Sequence, residues 1–124
     1  MVKIITYGTF DTFHYGHLEL LRKSKALGDF LVVAVSTDEF NQLKGKQCKF
    51  TYETRKSWIE SLRFVDIVIP EENWDQKTND IEKYNIDILT MGDDWKGKFD
   101  YLQCRCIYFP RSHGISSTQI KHLK

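Results

Sequence analysis

The chain has 124 residues and a mass of 14.7 kDa, which fits a single domain. Its 41% hydrophobic and 28% charged residues are typical of a globular protein and exclude a disordered tail. Eighteen basic and seventeen acidic side chains leave a net charge of +1, which excludes the broad positive face needed to bind long nucleic acid irrespective of its sequence. A small anionic ligand held by a local group of Lys and Arg residues is compatible with this balance.

The start of the chain carries no export signal, and no stretch approaches the ~20 apolar residues of a membrane span. Three cysteines do not make a disulfide framework. Cys104 and Cys106 would face the same side of a strand, as half of a metal site would, but no second Cys or His pair at zinc spacing accompanies them. We therefore expect reduced cysteines, no dedicated metal site, no membrane span and a cytoplasmic location.

Five short runs rich in Ile and Val are nearly continuous rather than alternating, which predicts strands covered on both faces, as in a parallel sheet. They occupy residues 2–7, 30–35, 65–69, 86–91 and 106–109. Pro70 and Pro110 follow such runs and are expected to mark strand ends.

Helical patterns lie between and after these runs, at residues 15–27, 52–64, 77–84 and 117–124. In the first, Leu18, Leu21 and Leu27 keep helical spacing, and Gly28 is placed to end the helix. Ser116 with Gln119 three residues later predicts a capping box at the start of the last.

Strands alternating with helices predict right-handed βαβ units and one doubly wound, Rossmann-like α/β domain over residues 1–124, with helices on both faces of a five-stranded parallel sheet. If the strand order is 3-2-1-4-5, the order reverses between the first and fourth strands. Ligands then bind beyond the carboxyl ends of those two strands. This prediction places residues 8–10 beside residues 92–94.

The turn after the first strand holds the best candidates for chemistry. Gly8 allows tight backbone turning, and its amide can approach a phosphate. His14 and His17 lie three apart where a helix begins, with Gly16 between them, so both can face one point near its positive end. There they can donate hydrogen bonds to a phosphoryl group during displacement. The alternatives are a metal-ligand pair or ordinary surface histidines.

The segment after the fifth strand, residues 111–118, combines Gly114, four hydroxyl side chains and a helix start, which favours an anion cradle. Arg111 adds a fixed charge to it. Plain helix capping by Ser116 is the alternative interpretation.

Three stretches together resemble one family: GTFDTFHYGH at residues 8–17, TYETRKSWIESLRFVD at 51–66 and RSHGISST at 111–118. They look like the nucleotidylyltransferase superfamily with its HxGH and ISST signatures, and among its members like the glycerol-3-phosphate cytidylyltransferases of Gram-positive teichoic acid synthesis. STDEFN, NWDQK and MGDDWKGKFD extend the likeness over nearly the whole chain.

The resemblance implies transfer of CMP from CTP to glycerol 3-phosphate, giving CDP-glycerol and pyrophosphate, with Mg²⁺ accompanying the nucleotide and a homodimer as the assembly. Another alcohol phosphate as acceptor, or ATP as donor, is the alternative within this superfamily. A non-catalytic nucleotide-binding module is the competing class. A redox Rossmann protein is excluded because no G-x-G-x-x-G run follows the first strand.

By motif position, the resemblance assigns catalytic roles to His14, His17, Lys44 and Arg111, and acceptor binding to Lys44 and Lys77. The CTP-binding positions it implies are Thr9, Phe10, His14, Tyr15, Gly16, His17, Lys46, Arg63, Asp94, Arg111, Ser112, Gly114, Ile115, Ser116, Ser117 and Thr118. His113 stands where the family commonly has an acidic residue, so we assign it no role.

Physical reasoning agrees with this chemistry. The acceptor phosphate has a second pKa of about 6, so it is largely a dianion at neutral pH and needs no general base. Bringing two anionic molecules together in line instead requires positive charge and positioning. Candidate charges are Lys44, Lys46, Arg55, Arg63, Lys77 and Arg111. For Arg55 alone, a solvated surface charge is the favoured interpretation.

Overall fold

The computed structural model describes residues 1–110. In this part of the chain five parallel strands form one sheet in the order β3-β2-β1-β4-β5. The strands are β1 Lys3–Gly8, β2 Phe30–Ser36, β3 Ile67–Glu71, β4 Ile88–Gly92 and β5 Arg105–Phe109. The predicted strand order is confirmed, together with the Rossmann-like, doubly wound fold class.

Four helices connect the strands: α1 Tyr15–Ala26, α2 Asp38–Leu43, α3 Tyr52–Glu60 and α4 Gln76–Lys83. A 3₁₀ turn, Asp93–Trp95, follows β4. Helix α2 was not predicted, because it is short and mostly polar. It begins where the Thr37 hydroxyl oxygen accepts a hydrogen bond from the N–H of Phe40. The prediction of a helix to residue 64 is too long, because α3 ends at Glu60. The predicted helix 117–124 lies outside the described residues.

Helices cover both faces of the sheet. On one face Ile4, Leu31 and Val33 pack with Leu21 of α1 and Ile59 of α3. On the other face, the alternate strand side chains Ile5, Val32, Ala34 and Leu89 pack with Ile81 of α4 and with Leu102 of the segment before β5. Both sides of β1 and β2 are therefore sealed from water, which explains why these strands read as continuous apolar runs.

Gly28 follows α1 as predicted, but for a different reason. Leu27 is the helix C-cap in the right-handed region, at φ −81°, so no left-handed glycine ends this helix. A Cβ at Gly28 would lie 2.7 Å from the Val2 carbonyl oxygen and would also collide with Ile4. The glycine is needed because the chain passes directly against β1.

Pro70 lies within β3, one residue before its end, and does not mark the end of the strand as predicted. β3 is an edge strand, where a residue without an N–H is tolerated. The Pro70 carbonyl oxygen accepts a hydrogen bond from Gln76 Nε2 at 3.0 Å. The strand therefore continues to Glu71, whose side chain reaches the carboxyl edge of the sheet.

None of the helices within residues 1–110 has the length and apolar character needed to traverse a lipid bilayer.

Candidate active site

An open cleft of about 890 Å³ lies at the carboxyl ends of the strands. The turn after β1 contributes Gly8, Thr9 and Phe10 to its wall, and the turn after β4 contributes Gly92 and Asp94. This is the juxtaposition that the predicted strand order requires, because β1 and β4 are neighbours at the point where the order reverses.

The turn after β1 has an unusual backbone. Phe10 and Thr12 both adopt the left-handed region, at φ +54° and +49°, although neither is a glycine. The Phe10 ring is buried, and a Cβ at Gly8 would lie 2.9 Å from it. Only glycine at position 8 therefore lets the ring fold back under the turn, so Phe10 can offer a ligand its backbone but not its side chain. Such strained positions are typical of functional turns.

The two histidines cap the helix that carries them. His14 precedes α1, and its Nδ1 accepts a hydrogen bond from the Gly16 N–H at 3.0 Å. His17 Nδ1 in turn accepts from the His14 N–H at 3.2 Å. This reciprocal arrangement is a capping box in which imidazoles replace the usual hydroxyl and carboxylate. The rings stack with centroids 3.9 Å apart.

Capping also determines the tautomer of both rings. A neutral imidazole whose Nδ1 accepts a hydrogen bond carries its proton on Nε2. In residues 1–110 neither Nε2 has a hydrogen-bond partner, and both side chains line the cleft. His14 and His17 therefore present two adjacent Nε2–H donors to whatever the cleft binds.

Burial keeps the two rings neutral. Desolvation lowers the pKa of His17 to about 4, with a further lowering from His14 and an opposing effect from Asp11. Desolvation also lowers the pKa of His14. At neutral pH the pair consequently acts as hydrogen-bond donors without a net charge, until an anion arrives to favour protonation.

Three lysines enter the cleft from the β2 and β3 side. Lys44 follows α2 with its Nζ 4.5 Å from the Phe40 ring centroid, and burial lowers its pKa, with further lowering from Lys46 and Lys77 opposed by Glu71. Lys46 Nζ lies 3.4 Å from the Thr9 hydroxyl oxygen. The structure thus brings these candidate residues to one wall.

Lys77 is almost fully buried in α4, yet it borders the cleft. Its Nζ donates to Glu71 Oε2 at 3.1 Å and lies 4.4 Å and 4.8 Å from the ring centroids of Tyr7 and Phe99. The carboxylate and the two ring faces compensate for the water that the ammonium has lost.

The prediction that Arg55 is a solvated surface charge is wrong, because this residue is fully buried. Its guanidinium donates to the carbonyl oxygens of Thr9 at 2.9 Å and Ser36 at 2.8 Å, and to Asp38 Oδ1 at 2.8 Å. Arg55 Nε also donates to the Phe50 carbonyl oxygen at 3.0 Å. Arg55 therefore fastens the turn after β1 to the end of β2, and no ligand needs to contact it. The burial of Arg55 could not be predicted from the sequence, because the other charged residues of α3 are exposed or partly exposed.

Asp11 forms a second hydrogen-bonded link between segments of the site, and this link was not predicted. Its carboxylate accepts from the N–H groups of Lys49 and Phe50 at 2.9 Å and 3.2 Å. The loop that carries Lys44 and Lys46 is thereby held against the turn that carries the histidines. No sequence signal pairs an aspartate with amides 38 residues away.

Other predicted residues lie elsewhere. Tyr15 is 51% exposed and does not line the cleft. Arg63 is exposed in the turn after α3, near Asp66, which accepts from the Leu31 N–H at the start of β2. Because α3 runs back against the strands, Arg63 is at the amino edge of the sheet, away from the cleft. The predicted set Arg111, Ser112, Gly114, Ile115, Ser116, Ser117 and Thr118 lies outside the described residues.

Several cleft residues were not predicted. Glu71 was missed because the strand was expected to end before Pro70. Trp74 and Trp95, respectively 57% and 39% exposed, border the cleft together with Phe99. Exposed tryptophans beside a strand end are a usable signal, although the sequence alone also allows them to be core residues.

Residues 1–110 contain no group of three or more His, Cys, Asp or Glu side chains close enough to hold a metal ion. Of the carboxylates along the cleft, that of Asp11 binds backbone amides and that of Glu71 binds Lys77. The described side chains therefore suit a divalent ion only if a ligand supplies most of its oxygens.

Comparison with known proteins agrees with the geometry. Residues 5–123 match the family model described as cytidylyltransferase-like. Glycerol-3-phosphate cytidylyltransferases of Staphylococcus aureus and Bacillus subtilis are 54% and 58% identical to this chain over 98% of its length, and the matches cover 93% and 95% of those proteins. The crystal structure of a lipopolysaccharide core biosynthesis protein from Thermoplasma volcanium superposes with a TM-score of 0.73 at 30% identity, covering 90% of this chain and 97% of that chain.

Proposed function

Because this chain belongs to the cytidylyltransferase-like family, we propose that it is a glycerol-3-phosphate cytidylyltransferase. It would convert CTP and sn-glycerol 3-phosphate to CDP-glycerol and pyrophosphate, for the synthesis of teichoic acid or a related cell-surface polymer. The observation that carries the proposal is the similarity to two such enzymes over nearly their whole length. The paired Nε2–H donors and the three lysines line the same cleft, which gives that similarity a chemical basis.

In the proposed reaction a phosphate oxygen of the acceptor attacks the α-phosphorus of CTP. The new P–O bond joins glycerol phosphate to CMP, and the bond from the α-phosphorus to the bridging oxygen breaks, so that pyrophosphate leaves with the electron pair. No proton has to be removed from the attacking group, because a phosphate monoester is largely a dianion at neutral pH. The protein therefore has to supply alignment and charge stabilisation.

His14 and His17 supply the stabilisation. Their Nε2–H groups are fixed by the capping hydrogen bonds before any ligand binds, so no reorganisation is needed as negative charge shifts on the phosphoryl oxygens. Removing one such fixed donor typically lowers kcat by about 10²–10³-fold. Because the two imidazoles are neutral, their burial costs little free energy in the enzyme without substrate.

The lysines supply the attraction. Lys44 and Lys77 lie on the β3 side of the cleft, where we place the acceptor phosphate, and Lys46 lies beside Thr9, where we place the phosphates of CTP. At an effective dielectric constant near 20, an opposite charge 4 Å away contributes about 4 kcal/mol, so three ammonium groups can offset much of the repulsion between the substrates.

The proposal includes Mg²⁺ bound to CTP, held mainly by phosphate oxygens, which would lower the charge on the leaving pyrophosphate. It includes nucleotide binding by Asp94 and by the segment from Arg111 to Thr118. A homodimer and a cytoplasmic location complete it. The reduced state of Cys48, Cys104 and Cys106 suits that compartment.

The test is a screen of donors and acceptors with purified protein. CTP and ATP would each be combined with glycerol 3-phosphate, ethanolamine phosphate and other polyol phosphates, and products identified by mass. We expect CDP-glycerol to form fastest. A preference for ATP, or for a different acceptor, would overturn the assignment, and CTP binding without pyrophosphate release would indicate a non-catalytic module.

A variant of His14 makes the test specific to the site. Asn is a good helix N-cap, so His14→Asn retains the cap and removes the Nε2–H donor. We expect kcat to fall by about 10²–10³-fold with the unfolding transition nearly unchanged. Undiminished turnover would contradict the role proposed for this ring.

A further inference from the structure

Glu71 places an acidic side chain in a cleft that is proposed to bind two anionic molecules. It is the last residue of β3, is only 5% exposed, and borders the cleft among Lys44, Lys77 and Trp74. A carboxylate near a phosphate costs free energy unless it is neutralised or binds something in return. The proposed reaction, as described above, gives Glu71 no role.

Lys77 binds only one of the two oxygens of the Glu71 carboxylate. Glu71 Oε2 accepts from Lys77 Nζ at 3.1 Å, while Oε1 has no hydrogen-bond partner within the described residues. The pair is fixed, because the ammonium is confined between the rings of Tyr7 and Phe99. One carboxylate oxygen is therefore aligned by its neighbour and left available at the edge of the cleft.

The chemistry of Glu71 Oε1 indicates which kind of group it binds. Within the ion pair the negative charge of Glu71 is balanced by Lys77, so the site does not strongly attract an ammonium group. A carboxylate oxygen is nonetheless a strong acceptor for O–H donors, because charge-assisted hydrogen bonds are stronger than neutral ones. The group that fits is a hydroxyl attached to a molecule whose phosphate binds the adjacent lysines.

The position of Glu71 separates it from the nucleotide. In the sheet order β3-β2-β1-β4, Glu71 ends the first of these strands and Asp94 follows the last. Three strand spacings correspond to about 14 Å. With the nucleoside part of CTP placed beside Asp94, the hydroxyls near Glu71 belong to the acceptor and not to the ribose of CTP.

We propose that Glu71 is a specificity-determining residue whose free oxygen accepts hydrogen bonds from the hydroxyl groups of the acceptor. The inference rests on the proposed function and deepens it. Lys44 and Lys77 hold the phosphate end of the acceptor, and Glu71 recognises the polyol end. The enzyme thereby prefers a phosphate ester that carries free hydroxyls to one of the same length that lacks them.

The experiment compares glycerol 3-phosphate with propyl phosphate, which has the same phosphate and carbon chain but no hydroxyls. The quantity measured is the ratio of kcat/KM for the two acceptors, in the wild type and in Glu71→Gln and Glu71→Leu. We expect the ratio to fall about tenfold or more in Glu71→Leu and by less in Glu71→Gln, with the KM for CTP nearly unchanged. Glu72→Gln, which changes the same charge on the neighbouring exposed residue, should retain the wild-type ratio.

Each outcome is decisive. Because both acceptors are tested on one preparation, a partly unfolded variant loses activity towards both equally and does not change the ratio. An unchanged ratio in an active Glu71→Leu enzyme overturns the inference and leaves the proposed function intact. A changed KM for CTP instead assigns the oxygen to the nucleotide and also overturns it. A wild type that transfers CMP to neither acceptor refutes the proposed function, and the inference with it.

Discussion

Arg55 and Lys77 are both cations buried below 5% exposure, yet their surroundings differ in one respect. Arg55 donates to three backbone carbonyl oxygens and to Asp38, which uses four of its five N–H donors. Lys77 has one carboxylate partner and two ring faces, and it borders the cleft. The hydrogen bonds of Arg55 stabilise the protein, whereas Lys77 retains the capacity to bind a ligand.

Burial of a charge therefore does not by itself indicate function. The capacity to bind a ligand depends on how many N–H donors remain after the hydrogen bonds within the protein are counted. An Arg side chain has five such donors and a Lys side chain has three. The region around Arg55 is the support on which the turn after β1 rests. The region around Lys77 is part of the wall that the ligand contacts.

The largest effect is expected from Arg55→Leu. The substitution would leave the buried carbonyl oxygen of Ser36 and the partly buried ones of Thr9 and Phe50 without their donor. We expect a loss of about 3–5 kcal/mol in the free energy of unfolding. Urea denaturation measures it. Asp38→Asn is the matched control, because the Asp38 side chain is 45% exposed and should cost about 1 kcal/mol. Equal losses in the two variants would mean that Arg55 acts through its charge alone.

Lys77→Met should affect substrate binding more than stability. We expect the KM for the acceptor to rise about 10–100-fold, while the KM for CTP changes little, because the ammonium is placed on the acceptor side. Some stability is also lost, since Glu71 keeps its charge without a partner, but water in the cleft can solvate it. Steady-state kinetics with each substrate varied in turn provides the measurement. Lys83→Met, at an exposed position of the same helix, is the control.

If Lys77→Met raised both KM values equally, the proposed placement of the acceptor would be wrong. The double variant Lys77→Met with Glu71→Gln separates the two effects. It should recover stability, because no unpaired charge is left, without recovering acceptor binding.

The smallest effect concerns the pH dependence of stability that is due to His17. Its Nδ1 accepts a hydrogen bond, and its Nε2 has no partner among residues 1–110. Its pKa is about 4 in the folded protein and 6.5 ordinarily, so between these values the unfolded chain binds more protons. The free energy of unfolding should therefore fall as pH is lowered from 6.5 towards 4, by about 1–2 kcal/mol at pH 5.

His17→Gln tests this, because Gln at this helix position can still accept from the His14 N–H but does not titrate. Urea denaturation at pH 7.5 and pH 5 should show a smaller loss in the variant than in the wild type. Identical losses would show that His17 is not held neutral by its burial.

The sheet could be predicted from the sequence because β1 and β2 are apolar on both faces, a pattern specific to buried parallel strands. The location of the cleft followed from the strand order, and the paired histidines were found because Gly16 and a helix start surround them. Arg55, Asp11 and Glu71 could not be predicted, since each acts through a partner brought close by the fold and not by spacing. Thr9, for example, meets Arg55 across 46 positions.

Pro70 has a consequence for how copies of this protein meet. At this position the outer side of β3 has no N–H to offer, and its carbonyl oxygen is already taken by Gln76. An incoming strand would find neither donor nor acceptor there, so the sheet resists being extended at this margin by another molecule. Pro70 thus makes the open edge of β3 a poorer template for pairing with a strand of another molecule.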